Sequence, residues 1–356
     1  MPELPEVEAT RHAIEHTCVG STVEHIQFYG SHHEILDSKV IQSTPLQFNQ
    51  LLIGNILQSI HRKGKYLWFI MKNQKYNTVL FHFGMTGALI LRHTAIPQYK
   101  SFKVNEGWPP KFTKLELKFS NGEFLAYCDP RRFGRIKIVS SPLSCPPLSD
   151  LARDPLHDGV TEEYLQSVLH KFRAPIKSIL LDQSKVCCGI GNWVADEVLY
   201  QSAIHPATPA CDLDSAMCES LSRSINDVVS TAVSVQANSA RFPATWLFHN
   251  RWGKGKKEKA VVQTETGKAH AISFITVGGR TTAIVPAVQH LKQKRSSGPL
   301  ERQPKNTTHM TLNNESLETK KKRKLSSMEH DTEVDNDVVD MKSTRRRSGR
   351  LALTPK

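Results

Sequence analysis

The sequence predicts an α+β protein: a β-sandwich behind a short leading helix, then a helical region, a small hairpin and a polar tail. Three observations predict it. Short runs rich in aromatic and β-branched residues, punctuated by Asn or Gly, occupy about 22–140. Helical spacing replaces them between about 161 and 237. Beyond about residue 290 aromatics stop and lysines accumulate, a composition too polar to build a core and expected to stay disordered. With 356 residues the chain can support two or more cores.

The opening, MPELPEVEATRHAI, places Pro5 and then Glu6, Val7 and Glu8 in a first helical turn. Proline is preset for that position and acids favour the positive end of the helix dipole. Val7, Ala13, Ile14 and Cys18 suit one buried face, and Gly20 suits a stop. The stretches KYLWFIM, TVLFHFG, GALILR, KLELKF and EFLAYCD read as strands, and SNGE at 120–123 as a hairpin turn. Seven to nine strands are expected in all, with a linker marked by Pro142, Pro146 and Pro147. TEEYLQSVLHKF reads as a capped helix and PIKSILLDQSK as a second. CCGIGN then breaks the chain before WVADEVLYQSAI, and a longer helix is expected from about Asp214 to Gln236. After RFPATWLFHNR and a basic loop, HAISFITVGGRTTAIVP reads as two strands joined at Gly278–Gly279. No internal repeat stands out.

The formal net charge is +13; after His290 there are 16 Lys/Arg against 9 Asp/Glu, a net of +7, leaving +6 for the body. That excess suits a polyanion partner. No apolar run approaches the roughly 18 residues that span a bilayer, so no membrane association is expected. The acidic, proline-bearing start is unlike a signal or transit peptide. The seven cysteines are odd in number and lack C-x-x-C spacing, which argues against a disulfide framework and against a structural zinc site. No metal and no cofactor are expected.

Several residues could carry chemistry. If Met1 is removed, Pro2 exposes a secondary amine, and an α-amine with a pKa near 7.7–8.0 is partly unprotonated at neutral pH. Such an amine attacking a carbonyl carbon gives an iminium ion, an electron sink. Glu3 beside it is a candidate acid or base. The bland reading is that Pro2 and Pro5 only stiffen a helix entrance, and the residues alone favour it. HRKGKYLWF sets Arg62, Lys63 and Lys65 just ahead of a strand; Lys65 could steady a leaving group or meet a phosphate, though from this stretch alone a surface charge cluster is the better reading. DPRRFGR at 129–135 puts Arg131 and Phe133 in a tight turn, a combination for gripping a backbone while pushing a ring into a base stack. HFGMTG at 82–87 offers Met85 as an apolar wedge on another turn; core packing is the alternative for both. GIGN before a helix presents amides and Asn192 to a phosphate, Lys177 adds a cation, and VGGRTT places Arg280 at a hairpin tip. Each is weak alone; their convergence on one nucleic-acid ligand gives them weight.

Together these residues resemble the formamidopyrimidine-DNA glycosylase family. PELPEVE, the lysine of RKGKYL, HFGMTG, DPRRFG, GIGNWVADEVL and the final GGR hairpin occur in that order over about residues 2–290. The resemblance implies a bifunctional DNA glycosylase with AP lyase activity on oxidised purines. It assigns Pro2 as nucleophile at C1′, Glu3 as proton donor to the opening sugar, and Lys65 as a phosphate-contacting catalytic aid. Met85, Arg131 and Phe133 would fill the space of the flipped nucleotide, and His82, Lys177, Asn192 and Arg280 would grip phosphates. It implies a catalytic sandwich domain over 1–140, a linker over 141–160, a helix–two-turns–helix domain over 161–240, a finger over 241–290 and a disordered basic tail over 291–356. The partner would be double-stranded DNA with oxidised bases or abasic sites, bound by a monomer.

Three departures stand out. The terminal hairpin has no cysteines, so it resembles the zincless-finger variant of plant and fungal members. DQSKVCCGIGN is about one residue longer than usual. The segment between the long helix and the hairpin is shorter than the loop that closes over 8-oxoguanine in bacterial relatives, so weak action on 8-oxoguanine and better action on formamidopyrimidines and hydantoins are expected. KKKRK at 320–324 and RRRSGR at 345–350 resemble nuclear import signals and could add sequence-blind DNA affinity; the nucleus is the expected location. Two other readings stay open: the endonuclease VIII branch, acting on oxidised pyrimidines, against which Leu4 and DPRRFG count, and a non-catalytic DNA-binding protein, against which Pro2, Glu3 and Lys65 count. A small-molecule enzyme with an N-terminal proline base would be a much shorter chain.

Overall fold

The computed structural model describes residues 2–30, 35–74, 76–93, 107–254, 260–264 and 266–291. The tail, with both basic motifs, lies outside the described residues. The α+β reading of the sequence holds: two four-stranded sheets precede four helices and two small two-stranded ladders.

Helix α1 (Leu4–Cys18) starts where the proline and acids place it, with Glu3 as its N-cap residue. Its buried residues serve two cores. Val7, Ile14 and Cys18 pack into the sandwich, whereas Leu4 packs into the helical region. The first helix is therefore a shared element that fixes the N-terminal residues between both bodies.

One sheet runs β1 (Val23–Phe28), β6 (Thr113–Phe119), β7 (Phe124–Cys128), β5 (Ala88–Leu91). The other runs β2 (Leu57–Lys63), β3 (Tyr66–Met71), β4 (Asn77–His82), β8 (Arg135–Ser140). Every pairing is antiparallel. Strand β6 shows the half-buried alternation most plainly, Thr113, Leu115, Leu117 and Phe119 being buried and the residues between them partly exposed. Phe69, Phe81, Phe119 and Tyr127 fill the space between the sheets. A short helix, α2 (Pro45–Leu52), interrupts the expected run of strands. Its start is a capping box: Gln47 N–H donates to the Thr44 hydroxyl at 3.3 Å and Thr44 N–H to Gln47 Oε1 at 2.9 Å.

The linker runs along the outer face of the second sheet, where Leu148 packs with Trp68 and Leu80. Helices α3 (Glu162–Leu169), α4 (Ile176–Leu181), α5 (Asn192–Gln201) and α6 (Ser215–Ser234) follow. Thr161 and Asp214 cap α3 and α6 through their side chains. Leu165, Ile179, Trp193, Val198 and Ile225 form their core. Phe242, Trp246 and Phe248 gather on Trp193, with ring centroids 5.6, 6.4 and 5.0 Å away, and so tie the post-α6 segment to α5.

The finger holds two ladders rather than one. Strands β9 (Val261–Gln263) and β10 (Ala269–Ala271) pair, and after Ile272 so do β11 (Ser273–Val277) and β12 (Arg280–Ile284). HAISFITV is thus divided into two strands at Ile272, a buried residue outside both. Gly278 and Gly279 both have positive φ, 56° and 72°, the turn that a two-residue hairpin requires. Leu247, Val262, Ile272, Ala283 and Val285 give the finger an apolar core. Among the described residues no cluster of His, Cys, Asp or Glu is placed to hold a metal ion, and no helix is long and apolar enough to cross a membrane.

Candidate active site and nucleic-acid interface

Pro2 and Glu3 lie at the start of α1, where the sandwich meets the helical region. Leu4 N–H donates to Gly189 O at 3.1 Å. The Glu3 carboxylate accepts from three backbone amides of the 189–194 segment: Gly191 at 2.8 Å, Trp193 at 2.9 Å and Val194 at 3.1 Å. This corrects one expectation. The amides at the start of α5, expected to meet a phosphate, are occupied by Glu3, a carboxylate 188 positions from Gly191 in the sequence, set in the positive field of the helix N-terminus. The glycines of GIGN make this fit possible. A Cβ on Gly191 would sit 2.3 Å from Glu3 Cδ, and one on Gly189 would sit 2.6 Å from Leu4 Cδ1.

Glu6 completes the arrangement. Its carboxylate accepts Glu3 N–H at 3.0 Å and Trp193 Nε1–H at 3.0 Å. Burial, then the nearby negative charge of Glu3, pushes its pKa up to about 7.

Lys65 occupies the two-residue turn between β2 and β3, and its ammonium donates to Ile190 O at 2.7 Å. Burial pulls its pKa down against the opposing attraction of Glu3. Glu3 and Lys65, 62 positions apart in the sequence, therefore converge on one loop, and Pro2 is the buried residue bonded directly ahead of Glu3. Arg62 is not part of a surface charge cluster. It is buried, donating to Glu8 at 2.7 Å and to both oxygens of Asp154 at 2.6 and 2.9 Å. Burial opposes ionisation of the two carboxyls, but Arg62 outweighs it and holds both below their ordinary range. This ion triad fastens α1, the Lys65 turn and the linker to one another. It was invisible in the sequence because its members lie 54 and 92 positions apart.

The HFGMTG and DPRRFG turns are joined by Asp129. Its Oδ1 accepts from the Thr86 hydroxyl at 2.7 Å and Arg131 N–H at 3.2 Å, and its Oδ2 accepts Gly134 N–H at 2.7 Å. Met85 is half-buried. Phe133 is 42% exposed, with the Arg131 guanidinium 4.9 Å and the Lys39 ammonium 5.9 Å from its ring centroid. Arg132 turns away, at φ 57°, to bind Asp37 at 2.7 Å. His82 stacks on Tyr66 at 4.6 Å; burial, then the charges of Lys65 and Arg135, push its pKa down to about 4.

Asn192 and Arg280 come together at the finger. Asn192 Nδ2–H donates to Thr281 O at 3.0 Å, and its Oδ1 is buried without a partner. Arg280 is exposed as the first residue of β12, beside the turn. Lys177 does not face solvent. Its ammonium is fully buried, donating to Asp196 Oδ1 at 2.5 Å and the Thr282 hydroxyl at 2.7 Å. As placed it fastens the base of the hairpin, so a direct phosphate contact is not available to it. Asp196 also accepts from Arg251 at 2.6 Å and from Ala283 N–H at 3.2 Å. Next to it, Glu197 accepts the Leu247 and Phe248 amides at 3.3 and 2.8 Å, and burial pushes its pKa up to about 7. Asp196, Glu197 and Arg251 were missed from sequence; the adjacent acids in an otherwise apolar helix, WVADEVL, were the available signal.

Comparison with known proteins shows the family of the chain. A family model described as the formamidopyrimidine-DNA glycosylase N-terminal domain matches residues 1–136, and one described as the H2TH domain of the same enzyme matches residues 151–244. A formamidopyrimidine-DNA glycosylase of Arabidopsis thaliana is 41% identical over 297 residues, covering 83% of this chain and 72% of the relative. One of Geotalea daltonii is 30% identical over 296 residues, covering 81% and 100%. The fold matches Lactococcus lactis Fpg (MutM) bound to DNA containing N7-benzyl-Fapy-dG, with a TM-score of 0.64 and 27% identity over 82% of this chain and all of that one. It also matches the same enzyme bound to DNA containing an abasic site, with a TM-score of 0.64 and 26% identity over 81% of this chain. The chain belongs to the formamidopyrimidine-DNA glycosylase family.

Proposed function

We propose that this chain is a bifunctional DNA glycosylase and AP lyase for oxidised purines, with the ring nitrogen of Pro2, freed by removal of Met1, as its nucleophile. The observation that carries the reading is the convergence of Glu3 and Lys65 on the 189–194 loop, where three amides fix the carboxylate of the residue next to Pro2. The amine lone pair forms a bond to C1′ as the glycosidic bond breaks and the base departs with a proton. Glu3 protonates the opening sugar, giving an iminium that withdraws electrons from C2′. Loss of the C2′ proton expels the 3′-phosphate; a second elimination expels the 5′-phosphate. Lys65, with its pKa lowered by burial, exchanges protons more readily than an ordinary lysine and contacts a phosphate.

Met85, Arg131 and Phe133 fill the gap left by the extruded nucleotide, and His82, Asn192 and Arg280 hold phosphates beside it. Lys177 acts indirectly, by holding the hairpin that carries Arg280. The finger is of the zincless type, with its apolar core and the Asp196 network in the fastening role of a metal. The enzyme acts as a monomer, and its basic tail directs it to the nucleus. The lesion order is formamidopyrimidines and hydantoins ahead of 8-oxoguanine.

Single-turnover cleavage of duplexes bearing each lesion tests the reading. Excision of formamidopyrimidine and hydantoin bases, leaving a gap with phosphates on both sides, is expected. Failure to excise any oxidised purine would refute the activity, and a clear preference for 8-oxoguanine would refute the lesion order.

A further inference from the structure

The outer face of the second sheet carries cations that the reaction above leaves unused. His82 pairs with Arg135 across β4 and β8, Leu80 pairs with Lys137, and Tyr66 pairs with His82 across β3 and β4. Side chains alternate along a strand, so Tyr66, His82, Arg135 and Lys137 share one face. It is the face that the linker covers further along, through Leu148. Where that cover ends, a cavity of about 310 Å³ remains, lined by Gln42, Tyr66, His82, Arg135, Lys137 and the Pro146–Pro147 pair. Among the described residues no acidic one lines it. The Arg135 guanidinium is held in place by Gly134 O at 2.6 Å and Arg132 O at 3.2 Å, so it leaves the Phe133 turn already oriented. Burial first, then the charges of Lys65 and Arg135, keep the neighbouring His82 unprotonated.

The geometry points to a further binding site: Arg135 and Lys137 grip one backbone phosphate, additional to the one that His82 holds, of the DNA strand that crosses the Phe133 turn. A phosphodiester is the chemistry that fits. The lining offers two permanent cations, an imidazole and the Gln42 amide, and strand β8 continues directly from the turn that carries the wedge. The inference rests on the DNA glycosylase reading, because only a polynucleotide held at Phe133 would bring a phosphate to this cavity.

Salt dependence of binding tests it, using full-length protein and a duplex with an uncleavable tetrahydrofuran abasic analogue. Lys137→Gln keeps the aliphatic stem and removes the charge; Arg135→Lys/Lys137→Gln also loosens the held guanidinium, and wild-type melting behaviour shows that both variants fold. One phosphate contact contributes about 0.9 to the slope of log Kd against log salt. The double variant should lose about that amount, so its deficit against wild type should change about 3.5-fold between 50 and 200 mM KCl. Replacing the phosphates one at a time by neutral methylphosphonates should reveal one position that weakens wild type and is silent in the variant. Equal slopes, or no such position, would overturn the proposal. Inorganic phosphate that perturbs the His82 ring resonances while the slopes stay equal would assign the cavity to free phosphate and overturn it as well. Absence of any borohydride-trapped wild-type adduct would instead count against the glycosylase reading, since slopes measured on undamaged duplex would still report the phosphate.

Discussion

Replacing Asp196 with asparagine should loosen the β11–β12 hairpin before it unfolds anything else. The carboxylate is fully buried, and its two oxygens serve Lys177 at 2.5 Å, Arg251 at 2.6 Å and Ala283 N–H at 3.2 Å. Asparagine keeps the shape but offers one acceptor oxygen. Its amide hydrogens would face a guanidinium or an ammonium, donor against donor. Breaking one partner out of a buried ion cluster costs about 3–5 kcal/mol, because the remaining charges are left uncompensated. An isolated two-stranded hairpin has little stability of its own. Of its polar ties to the helices, those through Asp196 and Lys177 depend on this carboxylate, while Asn192 to Thr281 does not. The loss should therefore appear as local opening of residues 273–284. Hydrogen exchange read by mass spectrometry should show the amides of that segment exchanging at least tenfold faster, with α6 little changed. Pairing Asp196→Asn with Lys177→Met should recover part of the loss, since one orphaned charge is removed with it. Unchanged protection of 273–284 would refute the reasoning that this ion cluster fastens the finger.

Three further outcomes follow from the same geometry. Glu197, raised from an ordinary 4.5 to about 7 by burial, stabilises the fold when protonated, so its contribution is complete below about pH 4.5 and is lost as the pH rises through about 7; Glu197→Gln should remove a pH-dependent component on the order of 3 kcal/mol in that window, and denaturation curves of equal pH slope would contradict it. Gly191→Ala should drive Glu3 off its three amides, because the new Cβ would lie 2.3 Å from Glu3 Cδ; borohydride trapping on abasic DNA should fall more than tenfold, and a rate within twofold of wild type would sink the assignment. Removing residues 293–356 should abolish nuclear accumulation of a tagged protein, and unchanged accumulation would remove the import role.

The sheets were legible where strands are central or, like the edge strand β5, fully buried, and unreadable at their more polar edges. KYLWFIM and KLELKF pack against the sandwich core and announce themselves through apolar content. VEHIQF and LQSIHRK sit at sheet edges with largely exposed outer positions, so their apolar signal is diluted by the polar residues an edge requires. Helix α2 spans eight residues, too few for periodicity to register, although Thr44 and Gln47 wrote its capping box plainly. For the site, Pro2, Glu3 and Lys65 could be picked out because each falls in a distinctive short motif. What could not be read was the partnership of charges. Arg62 looks like any lysine-flanked surface arginine until the fold brings Glu8 and Asp154 to it. Lys177 looks like a phosphate ligand until Asp196, 19 positions later, is found holding it. Local sequence specifies which residues can ionise; only the folded packing decides whether a cation faces solvent or a buried carboxylate.

The most direct measurement is peptide mapping of the borohydride-trapped complex with abasic DNA. The account predicts one adduct, on a peptide that begins at Pro2 with Met1 gone, and no adduct in Pro2→Gly. A crosslink on Lys65 or another lysine, or a trapped active enzyme that still carries Met1, would contradict it.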